Sequence, residues 1–244
     1  MRDAYTVAWK EWREFREQLF SRRGGAASAA ILILVLGLVT PLQMKEEWLT
    51  SAIMIAYWPF MAATLVSSLI ADAVAGERER HTLETLLASR LPDGPILAGK
   101  VIAAVMYGVG LAAVNLLVGW IVVNVVTWSG RVLAFPLFNI ASIVLLTILS
   151  TTFFAGLGVF ISLRASTVKQ AQQTFGIVML MLVLGPVLAA QALPWDIRLR
   201  LLSGVGGVGR ERLVGWAAAG LALLSLVVLG LARAQFRRGR LTLD

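Results

Sequence analysis

Any chemistry in this chain has to come from a short list of residues. Gly94-Pro95-Ile96-Leu97-Ala98-Gly99-Lys100 fits the first seven positions of the phosphate-binding loop G-x-x-x-x-G-K. The next residue is Val101, where Mg²⁺ needs a hydroxyl, and the loop requires a preceding strand that is not expected here. Nucleotide binding at this place is therefore not expected. Asp72 is the one acid within a long apolar run. A carboxylate at membrane depth is costly, so Asp72 reads as a proton or substrate site, or as an interface-level residue paired with a neighbour such as Arg78. Its place one turn from the surface favours the pairing. His81 is the only histidine and there is no cysteine, so a metal site, a disulfide framework and a nucleophile–base pair all lack their residues. Thr147, Ser150, Thr151 and Thr152 sit inside an apolar run, where hydroxyls are expected to bond backbone or neighbouring helices.

The elements that must position these residues are apolar. The chain is 58% hydrophobic with a mean hydropathy of +0.80, well above a soluble domain. Six segments reach the length of roughly 20 residues that spanning requires: Gly24–Met44, Trp48–Ala75, Val101–Gly130, Val132–Leu163, Gln170–Trp195 and Leu213–Ala232. None alternates with the period of a strand, so an all-α membrane protein is expected. Gly185-Pro186 marks an expected kink in the fifth span. With the N-terminus inside, sixteen Lys and Arg fall on inner segments and six on outer ones. The positive-inside rule then places both termini in the cytoplasm. Trp48, Trp128 and Trp195 fall at outer span ends, as an aromatic belt would. A net charge of +8 distributed between apolar runs points to a membrane surface and not to nucleic acid.

Residues 1–23 carry ten charges before the first apolar run, so no secretory signal is expected there. Tyr5, Ala8, Trp12, Phe15 and Leu19 recur at helical spacing. Lys10, Glu11, Arg13, Glu14 and Glu17 lie mostly off that stripe. The expectation is an amphipathic helix in the headgroup region. Residues 24–232 form the six-span domain, and 233–244 a basic tail.

Between spans two and three lies a charged island, Gly76–Lys100. Glu77, Glu79, Thr82 and Glu84 come first, and Leu83, Leu86 and Leu87 give an apolar face. Leu91-Pro92-Asp93-Gly94-Pro95 is expected to stop the helix and turn the chain. A short helix of this kind docks in a partner's groove or lies on the membrane, and the two share one periodicity.

The residues themselves separate these readings. Glu77-Arg78-Glu79-Arg80-His81-Thr82-Leu83-Glu84-Thr85-Leu86-Leu87-Ala88-Ser89, then Pro92 and Gly99-Lys100, resembles the first cytoplasmic loop of ABC-2 type transporter permeases. Those loops commonly read GE-x-E-x-G-T-L-E-x-L-L-x-[ST]-P and run on to L-x-G-K. Here His81 stands where the family often has Gly, and Arg90 where Pro is common. Leu163–Gln173 is similar to the family's second cytoplasmic loop, which makes Arg164 and Lys169 weaker contact candidates.

The resemblance implies a permease in the cell's inner membrane that pairs with a second copy or a paralogue. It also implies two cytosolic ATPase subunits that carry Mg-ATP, with no cofactor, no metal and no nucleic acid on this chain. A coupling helix over 77–89 is then the docking element, with Leu83, Leu86 and Leu87 as anchors and Glu79, Arg80 and Glu84 setting orientation. Leu202-Ser203-Gly204-Val205-Gly206 is faintly like the ABC signature, but falls on an outer loop. No ATPase activity is expected of the chain itself, and the few polar groups in the spans favour an amphipathic, lipid-like or drug-like cargo moved outward. A secondary transporter would show more intramembrane charge and repeated broken helices. A membrane-embedded enzyme would need clustered acids or histidines. A non-transporting anchor of an ATPase complex would share the same loop and stays open.

Overall fold

The computed structural model describes residues 2–21, 30–31, 33–82, 92–128, 130–198 and 207–236, and the regular elements among them are helices. They are α1 (Arg2–Ser21), α2 (Val35–Met44, opening with a π-helical turn), α3 (Glu47–Thr50) and α4 (Ala52–Glu79). After these come α5 (Asp93–Val126), α6 (Leu137–Arg164), α7 (Val168–Ala192) and α8 (Arg210–Gln235). The last four are long and apolar enough to cross a membrane; α2 and the Ala52–Thr64 part of α4 are shorter apolar stretches. The expected kink site, Pro186, lies inside α7, which continues past it to Ala192.

Helix α4 is the hub. It packs on α6, α5 and α7, while α6 also carries α8 and α5 carries α1. Three glycines set the closest approaches, and at Gly108 on α5 an added Cβ would run into Val66 of α4. A Cβ at Gly158 on α6 would run into Ile70 of α4, and one at Gly119 on α5 would run into the Trp48 indole. Membrane helices gain little from burying apolar surface against each other, so small residues that let backbones approach carry much of the packing. Hydroxyls stitch the same contacts. Ser150 Oγ donates to Pro59 O (3.0 Å), and Ser162 Oγ accepts from the N–H groups of Val74 and Ala75 (3.2 and 2.9 Å). Thr151 and Thr152 bond their own helix, as expected. Thr147 is different, because its buried hydroxyl has no partner among the described residues.

The first expectation to need correction is an aromatic anchor. Trp48 is not a headgroup anchor. It is 0% exposed, meets Trp58 edge-on at 5.9 Å between ring centroids, and fills the slot left by Gly119. Trp128 and Trp195 are exposed, as a belt requires. Helix α1 meets the protein on a face beside its aromatic stripe, which leaves Tyr5 outward. Val7, Ala8 and Glu11 are buried, with Ala8 against Ala103 of α5, whereas Tyr5 and Trp9 point outward. The side chains of Phe15 and Leu19 lie outside the described residues.

The charged island is built differently from a free-standing helix over 77–89. Helix α4 runs on to Glu79, so Glu77 and Glu79 end a helix and do not begin one. Its stop is a Schellman turn. The N–H of His81 bonds Arg78 O (3.1 Å) and the N–H of Thr82 bonds Glu77 O (2.9 Å). His81 holds φ of 55°, the left-handed position that favours Gly. That accounts for the glycine common in the resembling loops. His81→Gly is expected to raise stability by about 0.5–1 kcal/mol, read as a higher unfolding temperature of the detergent-purified protein. At the other side, Pro92 caps α5, and Asp93, Gly94 and Pro95 form its first turn and do not belong to a loop. Proline is tolerated there because first-turn N–H groups have no helical acceptor. Gly94–Lys100 is therefore helical, with no loop to cradle a phosphate.

Candidate functional site

Glu77, Arg78 and Glu79, three consecutive residues at the end of α4, reach three different parts of the chain. Glu77 points into a buried cluster. Lys100 Nζ, near the start of α5, lies 3.0 Å from Glu77 Oε1 and 2.7 Å from Glu11 Oε1 of α1. Lys100 is 1% exposed, Glu11 4% and Glu77 6%. Half-exposed Lys10 adds a looser contact to Glu77 at 3.6 Å. Arg78 turns the other way and donates from Nη1 to Ala165 O (2.8 Å) and from Nη2 to Leu163 O (3.3 Å). It thereby closes the carbonyl end of α6, where a cation also suits the helix dipole. Glu79 Oε1 accepts from the N–H of Val168 (2.8 Å), the first residue of α7, where an acid suits the positive end.

A single stretch of α4 thus ties α1, α5, α6 and α7 together at one end of the bundle. Helix α8 joins through Arg164. Its guanidinium lies over Phe160 at 4.8 Å, and it donates to the Gln235 amide oxygen at 2.6 and 3.1 Å when that amide is assigned with its oxygen inward.

The electrostatics of the cluster are uneven. Burial pushes the Glu11 carboxyl above the usual carboxylate range and outweighs the attraction of Lys100. For Lys10, burial pulls the value down, but Glu11, Glu14 and Glu77 more than offset it and the net direction is up. A raised carboxyl contributes stability that is complete below the unfolded value, about 4.3, and is lost as pH rises through the folded one. The wild-type protein is therefore expected to lose part of its stability as pH rises from about 4 through the raised value of Glu11. In Glu11→Gln that slope flattens, while Lys100 keeps Glu77. Thermal unfolding of both proteins across this range measures it.

The sequence-predicted residues divide into three groups. Glu79, Arg80 and Thr82 are exposed on the described part of the loop, whereas Glu77 is turned into its own chain. Leu83, Glu84, Leu86 and Leu87 lie outside the described residues, as does the side chain of Asp72. Arg164 and Lys169 are exposed beside the α6–α7 turn. The Arg78 guanidinium is engaged with two carbonyls of that turn. Glu11 and Lys100 were not singled out from the sequence as partners of Glu77. A charge three residues from Ala8 on the helix face that carries Val7 was the available signal, and the aromatic stripe outweighed it.

A profile of the ABC-2 type transporter family matches residues 3–203. The chain is also 32% identical over 146 residues to the ABC transporter permease protein NatB of Bacillus subtilis (strain 168). That match covers 56% of this chain and 38% of the relative, so the chain spans well under half of that protein's length. The matched residues take in the α4–α5 corner and the α6–α7 turn that the cluster joins, and the chain belongs to the ABC-2 type transporter family.

Proposed function

We propose that this chain is the membrane-spanning permease subunit of an ATP-driven exporter, driven through its first cytoplasmic loop by a separate ATPase. The observation that carries this reading is the fan of Glu77, Arg78 and Glu79 from the end of α4 onto α1, α5, α6 and α7. A partner that pulls on residues 80–91 acts on all of these helices. A ligand moves such an element only through differential contacts with two states, and ATP-driven closure of the partner supplies them.

In this reading six spans cross the inner membrane with both termini in the cytoplasm. The gathering of α1, the end of α4, the start of α5 and the α6–α7 turn at one end supports that orientation. Two such subunits, identical or paralogous, form the pathway above two ATPase subunits that hold Mg-ATP. The cargo is amphipathic, lipid-like or drug-like, in keeping with spans poor in charge.

Leu83, Glu84, Leu86 and Leu87 form the partner-facing surface, together with exposed Glu79, Arg80 and Thr82. Glu77 holds the loop to its own chain. In nanodiscs with the ATPase, Leu86→Asp is expected to weaken complex formation by about 30-fold, the loss of one anchor near 2 kcal/mol, and Glu84→Arg to weaken it by reversing an orienting charge. ATP hydrolysis then uncouples from cargo movement. Unchanged assembly and turnover in both variants would remove the docking role.

A further inference from the structure

A groove of about 720 Å³ runs between α5, α6 and α8, away from the polar cluster. Its lining is apolar apart from Thr152 and Arg233. The Thr152 hydroxyl is already spent on Ile148 O at 2.7 Å, so the body of the groove offers only hydrocarbon contacts. Its α5 wall extends from Gly94 to Met106, about 18 Å at 1.5 Å per residue. One leaflet's hydrocarbon is about 15 Å deep.

The mouth differs from the body. Arg233 stands in the last turn of α8, beside the first turn of α5 that carries Gly94 and Pro95. The N-cap residue Pro92 makes no side-chain bond to that turn, and the positive end of a long helix dipole lies there. Asp93 lies in the same turn but does not line the groove. A purely apolar ligand has no use for the guanidinium, and a soluble anion has no use for the long apolar wall. A phosphodiester attached to a fatty acyl chain matches both.

We propose that this groove holds an anionic phospholipid, with its phosphate on Arg233 and one acyl chain along α5 between α6 and α8. Placing it in the inner leaflet rests on the orientation given above; the chemistry of the groove does not. The test is therefore run without ATPase and without a defined orientation. Protein in detergent is titrated with phosphatidylglycerol or with phosphatidylcholine of the same chains and read by native mass spectrometry. The expected result is preferential retention of one phosphatidylglycerol. Arg233→Gln then lowers that retention by about tenfold and lowers phosphatidylcholine less, because the choline cation already offsets its phosphate, while Ala98→Phe lowers both. On the wild-type protein, phosphatidylglycerol with a diazirine in its acyl chain is expected to label residues 94–106. Equal retention of the two lipids, no effect of Arg233→Gln, or labelling confined to other segments would overturn the proposal. So would an Ala98→Phe variant that splits a dimer while keeping its lipid, because the groove would then hold a second copy of the chain.

Discussion

Lys100→Met is expected to destabilise the protein by about 3–5 kcal/mol, the usual result of removing one partner from a buried ionic cluster. Lys100 stands between two carboxylates at 2.7 and 3.0 Å and is almost wholly buried. Without it, Glu11 and Glu77 face each other with only half-exposed Lys10 as a counter-charge. Two like charges in a poorly solvated site repel each other, and one of them must take up a proton. The asymmetry is the informative part. Glu11→Gln leaves Lys100 bonded to Glu77 and is expected to be mild, whereas Lys100→Met leaves both acids without their main partner. In the detergent-purified protein the lysine variant should unfold about 10 °C lower. The triple variant Glu11→Gln, Glu77→Gln, Lys100→Met should recover much of that loss, since replacing a whole buried ionic group is often close to neutral. A Lys100→Met protein that melts with the wild type would show that the cluster does not hold α1 and α5 to α4.

Gly158→Ala is expected to lower stability by about 1–3 kcal/mol although it adds a single methyl group. The new Cβ would occupy the space of the Ile70 side chain, which is fully buried at the contact of α4 and α6. Neither helix can retreat freely. Ser162 on α6 bonds Val74 and Ala75 of α4 within about one turn of the same contact, and Ser150 bonds Pro59 further along. A double-mutant cycle with Ile70→Ala separates the steric effect from general damage. Ile70→Ala alone leaves a cavity and costs about 2–5 kcal/mol. With Gly158→Ala present, part of that cavity is filled, so the pair should lose less than the two single variants summed. Additive losses would mean that the two side chains do not compete for one space. Gly110, where an added Cβ would meet open space, is the control position: Gly110→Ala should have little effect.

The helical class was legible because long uncharged runs have few alternatives in a bilayer. The family was legible because the acids and leucines of the charged island match a family pattern. The positions of individual side chains were less so, for physical reasons visible at particular residues. Glu77 and Glu79 read as the start of a helix because acids favour that end, but α4 runs about one turn beyond the apolar stretch and carries them to its C-terminus. Hydropathy reports where a helix leaves the lipid, not where its hydrogen bonds stop. Trp48 read as an interfacial anchor because tryptophan is common there. Its burial depends on Gly119, seventy-one residues away, a pairing that no local pattern encodes. In the same way Glu11 looked solvated, because the one cation that buries it comes from α5. Both errors concern contacts between distant segments, where local periodicity carries no information.

The cluster of Lys10, Glu11, Glu77 and Lys100 has one more property. It contains two cations and two anions, so with all four ionised it carries no net charge. A membrane voltage does work only on net charge that moves through it, about 2.3 kcal/mol per elementary charge per 100 mV. These four charges therefore do no net electrical work when α1, the end of α4 and the start of α5 shift together, and any response to voltage rests on neighbours such as Glu14, 3.3 Å from Lys10. Taking away Lys100 would leave Lys10 facing two acids, and the proton that one of them takes up would restore the balance of these positions.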